Sequence, residues 1–137
     1  MNVRKKALDA STAGAPSGCD GVVVVVDDDT DTRELLQELL ESKGYRVMTA
    51  DDGDEALRVF AAAASVCFVV MDLAMPRMNG LEVLTALAAA PDLRARICIS
   101  TATPEHVPAG VCCLPKPIDV SRLLALVGTF CPDHAPS

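Results

Sequence analysis

The chain has 137 residues, half of them apolar and only 3% aromatic, with a formal net charge of −7. That length fits one domain with a real core, filled by aliphatic and alanine packing rather than by rings. The acidic balance argues against nonspecific nucleic-acid binding, and no apolar run is long enough to span a bilayer.

Residues 1–20 are rich in Ala, Ser, Gly and Pro and have no periodicity, so they read as a disordered tail or linker. Arg4-Lys5-Lys6 is not followed by the apolar stretch of a signal peptide. The pattern predicts a first strand over Gly21–Asp27, where five consecutive valines suit a strand buried on both faces. Asp27, Asp28 and Asp29 follow at once. Like charges this close repel unless a cation lies among them, and clustered carboxylates suit Mg²⁺. Capping of the next helix accounts for Asp29 and Asp31 but not for Asp27 and Asp28, which abut the apolar run.

Thr30 or Asp29 can cap a helix that runs to about Lys43, with Leu35, Leu36, Leu39 and Leu40 on one face and Gly44 ending it. A short strand follows over Tyr45–Thr49, then a turn at Asp51-Asp52-Gly53. The next helix spans Asp54–Ala63 and buries Ala56, Leu57, Val59 and Phe60. Val66–Met71 reads as a buried strand ending at Asp72, and a loop leads to a helix over Gly80–Ala90 that stops at Pro91. Arg96–Ser100 is the fourth strand, ending in Thr101-Ala102. The stretch Thr103–Gly110 holds two prolines and a glycine, leaving room for one helical turn at most before the fifth strand, Val111–Leu114. Lys116 stands between two prolines, and a last helix runs over Asp119–Thr129.

Strands alternating with helices predict a parallel sheet with right-handed crossovers and helices on both faces. Ligands of such sheets bind outside the carboxyl ends of the strands. Those ends collect Asp27 and Asp28, Asp72, Thr101 and Lys116. An acid pair for a metal, a hydroxyl, an ammonium and a carboxylate nucleophile are what phosphoryl transfer requires, and Asp72 is the best nucleophile.

With these residues in place, the chain resembles the receiver domain of two-component response regulators. The resemblance rests on Phe68-Val69-Val70-Met71-Asp72-Leu73-Ala74-Met75-Pro76-Arg77-Met78-Asn79-Gly80, on Leu114-Pro115-Lys116-Pro117, and on Asp27, Asp28 and Thr101 in the right order. It implies a receiver domain over residues 21–130, between the tail of residues 1–20 and a C-terminal tail of residues 131–137. It also implies a flavodoxin-like α/β fold, a doubly wound five-stranded parallel sheet of order 2-1-3-4-5. Asp72 would accept a phosphoryl group from a histidine kinase or a histidine phosphotransfer protein. Asp28, Asp72 and the backbone carbonyl of Ala74 would bind Mg²⁺ or Mn²⁺, with Asp27 holding a metal-bound water. Thr101 and Lys116 would bind the phosphoryl oxygens. The Lys116–Pro117 bond would be cis, and the protein would be a cytoplasmic phosphoacceptor signalling to a partner protein rather than a turnover enzyme.

Two features depart from the family pattern. Only fifteen positions separate Thr101 from Lys116, so the fourth helix is shortened or missing, and Cys113 stands where many members carry an aromatic switch residue. Other functions compete less well. Asp27, Asp29, Asp31 and Glu38 fall at EF-hand loop positions, but Thr32 occupies the obligatory glycine position and a valine strand precedes the loop. A haloacid-dehalogenase-type phosphatase needs a different residue at Asp31, a cap and a longer chain. A phosphorylation-independent interaction module is disfavoured by the intact Asp28, Asp72, Thr101 and Lys116. The six cysteines show no C-x-x-C spacing and read as free thiols of a reducing cytosol. His106 and His134 read as loop residues. The exposed rim of the first helix, including Arg33 and Gln37, is a candidate contact for a kinase or phosphotransfer helix.

Overall fold

A computed structural model of the chain describes residues 21–131. The elements run β1 (Val22–Val26), α1 (Thr30–Ser42), β2 (Val47–Ala50), α2 (Gly53–Ala62), β3 (Val66–Asp72), α3 (Gly80–Ala86) and α4 (Pro91–Arg94). They continue as β4 (Ile97–Thr101), a 3₁₀ turn (Pro104–His106), β5 (Cys112–Pro115) and α5 (Val120–Phe130). The five strands are all parallel, in the order β2-β1-β3-β4-β5. This is the doubly wound order expected from the sequence. The tail assigned to residues 1–20, and all of the C-terminal tail after Cys131, lie outside the described residues.

The valine run forms β1 because it is the innermost strand of the α1/α2 half and must be apolar on both sides. Val23 and Val25 join Leu36, Leu40, Phe68, Val70, Leu114, Leu123 and Val127 beneath α1 and α5. Val24 and Val26 join Ala56, Phe60, Val69, Met71, Val83 and Leu84 beneath α2 and α3. Alternation along the strand thus feeds two cores from one sequence.

Asp29 caps α1 by accepting from the Thr32 amide at 3.0 Å, and Gly44 ends the helix at φ 92°. One residue of the expected α1 face is misplaced: Leu36 and Leu40 are buried, but Leu35 is 65% exposed. Four leucines at i, i+1, i+4 and i+5 span more arc than the sheet covers, so one pair's edge is left in solvent. The expected helix over Gly80–Ala90 is also corrected. It closes after Ala86, where the Leu87 amide bonds the Val83 and Leu84 carbonyls. Pro91 then opens α4 rather than merely ending a helix, since proline needs no amide donor in a first turn. Arg94 Nε donates to the Leu84 carbonyl at 3.1 Å and ties α4 back to the end of α3.

Between β4 and β5 the only helical piece is the single 3₁₀ turn, as the two prolines foretold. On that face a cavity of about 530 Å³ remains, lined by Leu84, Pro91, Arg94, Ile97 and Val111 among others. No helix among the described residues is long and apolar enough to cross a membrane.

The cysteine reading is overturned in part. Cys67 at the start of β3 and Cys131 after α5 are disulfide-bonded, with Cα atoms 5.8 Å apart, while Cys98, Cys112 and Cys113 are free. Sixty-four positions separate the pair, so no local spacing announced it. The same corner stacks Phe68 on Phe130 at 5.3 Å, and Arg96 donates to the Cys67 and Phe130 carbonyls.

Gly53 shows how tightly α2 is set against the loop after β3. Its amide donates to the Met78 carbonyl at 3.1 Å, and a Cβ at this position would lie 2.5 Å from the same oxygen. Because that neighbour is backbone, Gly53→Ala should cost about 1–3 kcal/mol, read as a lower denaturant midpoint at unchanged slope. A midpoint equal to that of the wild type would show that the contact is slack.

Candidate functional site

The strand order puts the ends of β1 and β3 side by side, and the parallel sheet points both at the same edge. Asp27, Asp28 and Asp72 each place a carboxylate oxygen within 4.8 Å of the others. Asp27 and Asp72 are buried, Asp28 is exposed. Lys116, arriving from the end of β5, is 3.3 Å from Asp72 Oδ1 and 3.5 Å from Asp27 Oδ2. Its backbone is fixed by donating to the Thr101 carbonyl at 2.8 Å, and the Lys116–Pro117 bond is cis.

Asp27 and Asp72 are each held by a backbone amide. Asp27 Oδ1 accepts from the Asp29 amide at 2.9 Å, and Arg33 donates to the Asp27 carbonyl at 2.7 Å. Asp72 takes a hydrogen bond from the Ala74 amide. Burial first, and the Asp27 charge second, hold the Asp72 carboxyl above the ordinary carboxylate range, against the pull of Lys116. For Lys116, burial favours the neutral amine, but the Asp72 and Asp27 carboxylates outweigh it and the ammonium is held above its usual value. The cluster is therefore under-compensated: one ammonium faces three acids.

The sequence-predicted site residues come together unequally. Asp27, Asp28, Asp72 and Lys116 form one constellation. Thr101 ends the neighbouring strand, but its hydroxyl is engaged in the loop beyond it, accepting from the Thr103 amide at 2.9 Å and meeting the Thr103 hydroxyl at 3.0 Å. Ala74 is brought beside Asp72 through its amide. His106 is an exposed residue of the 3₁₀ turn, whereas His134 lies outside the described residues.

Sequence reasoning missed the latch that holds the loop from Leu73 to Asn79. Leu73 donates to the Ser100 carbonyl at 3.1 Å, Gly80 to the Leu73 carbonyl at 2.9 Å, and Asn79 and Glu82 form a reciprocal capping box. Arg77 adopts φ 64°, a left-handed conformation unusual for a residue with a Cβ, and its guanidinium pairs with the fully buried Asp52. Asp52 also caps α2 by accepting from the Glu55 amide at 2.8 Å, so both its oxygens are used. The Asp52-Gly53-x-Glu55 spacing was a legible cap signal. Nothing in the sequence foretold its cationic partner.

The comparisons with known proteins converge on this geometry. The family described as "Response regulator receiver domain" matches residues 23–128. The chain belongs to the response regulator receiver domain family. The response regulator MprA of Mycolicibacterium vanbaalenii is 38% identical over 109 residues, which is 75% of this chain and 47% of that protein. The transcriptional regulatory protein CpxR of Escherichia coli is 40% identical over 65 residues, 47% of this chain and 27% of its own length. The chain thus spans less than half of these curated relatives. Among solved structures, the receiver domain protein from Clostridium thermocellum superposes with a TM-score of 0.72 at 25% identity, covering 82% of this chain and 94% of that one. The receiver domain of the hybrid histidine kinase CckA gives 0.68 at 28% identity, covering 80% and 98%. This receiver of two-component signalling carries an acidic cluster at the ends of β1 and β3, with a lysine beside it.

The electrostatics predict how stability responds to removing a charge. The folded state holds the Asp72 proton more tightly than the unfolded chain does. The stability linked to this group is therefore full below its unfolded pKa and is lost as pH rises through the raised folded value. In chelator at neutral pH, Asp72→Asn should melt a few degrees above the wild type, and the gain should vanish as the pH falls below about 4, the ordinary range of Asp. An Asn variant that melts lower at neutral pH would mean that the Lys116 contact outweighs burial and repulsion.

Proposed function

We propose that this receiver accepts a phosphoryl group on Asp72 in a divalent-metal-dependent reaction and changes conformation to signal to a partner protein. The observation that carries the reading is the placement of Asp72 within reach of two further acids and one lysine, at the end of the central strand. An Asp72 oxygen would attack the phosphorus of a phosphohistidine on a sensor kinase or phosphotransfer protein. The P–N bond breaks as the P–O bond forms, and the electron pair leaves with the imidazole.

The donor set fits a hard cation. Three carboxylates offering oxygens within 4.8 Å match Mg²⁺ or Mn²⁺, which keep several waters and use few protein ligands. Asp28, Asp72 and the Ala74 carbonyl would hold the ion, and Asp27 would orient one of its waters. Bound there, the metal neutralises charge on the phosphoryl oxygens and on the acids. Lys116 would turn from Asp27 and Asp72 to the new phosphoryl group, and Thr101 would give up Thr103 to donate its hydroxyl. The protein acts as a phosphoacceptor rather than as a turnover enzyme, and it needs no contact with nucleic acid.

Acetyl phosphate with Mg²⁺ should add one phosphoryl group to the intact protein by mass spectrometry, and Asp72→Asn should take none. Asp28→Ala should lose the label together with the Mg²⁺-induced rise in melting temperature. Full labelling of the Asn variant would move the acceptor elsewhere, and an unchanged Mg²⁺ response in the Ala variant would remove Asp28 from the metal site.

The output side differs from a typical member. Cys113 is too small to be the aromatic lever, and the 3₁₀ turn Pro104–His106 stands in for a helix. The phosphoryl contacts would then order the loop from Thr101 to Gly110, which a partner reads together with β5. With beryllofluoride as the phosphoryl mimic, amide exchange should slow in this loop while the mass in solution stays monomeric. An activation-dependent dimer that protects a newly formed helix at residues 103–110 would refute this.

A further inference from the structure

Ser100 is buried to 2% exposure, and its Oγ is the one buried side-chain polar atom without a hydrogen-bond partner among the described residues. A hydroxyl taken out of water without a partner destabilises the fold, and alanine would fill nearly the same space without that cost. Its position is specific. On β4, Ser100 is the register partner of Asp72 on one side and of Leu114 on the other. Register partners in a parallel sheet present their side chains to the same face. Val70, Cys98 and Leu114 fix that face as the one beneath α1 and α5. Asp72 lies two residues beyond Val70 and Lys116 two beyond Leu114, so both continue on it. The unpartnered hydroxyl therefore stands between the strand that bears the acceptor carboxylate and the strand that bears its ammonium partner. Neighbouring strands are about 4.8 Å apart, so the serine hydroxyl and the Asp72 carboxyl are lateral neighbours, although no hydrogen bond joins them in the free protein.

We propose that Ser100 donates a hydrogen bond to the Asp72 carboxyl once that group is phosphorylated, and that this bond shortens the life of the acyl phosphate. The inference rests on Asp72 being the phosphoacceptor. In the free protein Asp72 Oδ1 is engaged by Lys116 at 3.3 Å. Phosphorylation makes one Asp72 oxygen the bridge of a mixed anhydride and leaves the other as a carbonyl, while Lys116 turns to the phosphoryl oxygens. In hydrolysis a water oxygen bonds to phosphorus, and the bond from phosphorus to the Asp72 oxygen breaks. The electron pair stays with the Asp72 carboxyl, and the water's proton leaves with phosphate and solvent. Negative charge grows on the carboxyl as the bond breaks, so a donor aimed there binds the transition state more tightly than the acyl phosphate. The hydroxyl is then a leaving-group stabiliser whose partner exists only in the phosphorylated state.

The wild type and Ser100→Ala are labelled with acetyl phosphate and Mg²⁺, freed of donor, and followed by loss of the phosphoryl group. The alanine variant should hold its label roughly tenfold longer, the effect of one hydrogen bond to a group gaining charge, without melting at a lower temperature. Infrared difference spectra should place the acyl carbonyl stretch of the wild type below that of the variant, because only the wild type donates to it. Equal or faster decay in the variant, or an identical carbonyl frequency, overturns the role of Ser100. A wild type that takes no label at all fails earlier, at the assignment of Asp72, and takes this inference with it.

Discussion

Everything at the working edge of this domain follows from holding like charges together. Asp27, Asp28 and Asp72 are kept within 4.8 Å by backbone alone, because β1 and β3 are adjacent and parallel. No side-chain choice relieves the repulsion except Lys116, and its single ammonium is divided between two of the acids. The apolar interior supplies the holding force: both strands are flanked on two faces by packed aliphatic side chains, so neither end can recede from the other. A cluster held this way is already arranged for a cation and for a dispersed anionic group, and little has to move when they arrive.

The two loops beside this cluster are fastened to different extents. The loop after Asp72 is fastened to β4 by Leu73, to α3 by the Asn79–Glu82 box, and to α2 by Gly53 and the Arg77–Asp52 pair. Arg77 adopts an unfavourable left-handed backbone conformation, and its exposed guanidinium reaches the buried Asp52 carboxylate. The loop after Thr101 is different. Its helical content is one 3₁₀ turn, and most of its residues are exposed.

What was legible in the sequence was whatever depends on local pattern or on strand ends. Five valines before three aspartates marked β1, buried on both faces, and the acids together, and the two prolines and one glycine of residues 103–110 ruled out a full helix there. What failed was tertiary. Leu35 belongs to the apolar stripe of α1 yet faces solvent, because the width of the stripe exceeds the sheet surface beneath it. Pro91 was read as a terminator when it also serves as a first helical residue. Cys67 and Cys131 meet only because β3 and the end of α5 share a corner, and Arg77 finds Asp52 across twenty-five positions.

The short connection between β4 and β5 leaves the cluster of acids and lysine intact for a geometric reason. The acids come from β1 and β3, and the lysine is positioned by the backbone of β4, whose Thr101 carbonyl accepts from the Lys116 amide. These supports touch the shortened segment only at Thr101, the last residue of β4. Thr101 does belong to that segment, since its hydroxyl is bound to Thr103 at the start of the loop. A hydrogen bond taken from Thr103 to serve a phosphoryl group therefore releases the loop at its root, while the Lys116 amide keeps β4 and β5 in register. With only an exposed 3₁₀ turn between those strands, that exchange of partners at Thr101 has no helix to displace. Under the proposed function its effect would fall on the loop backbone itself, which starts at the site.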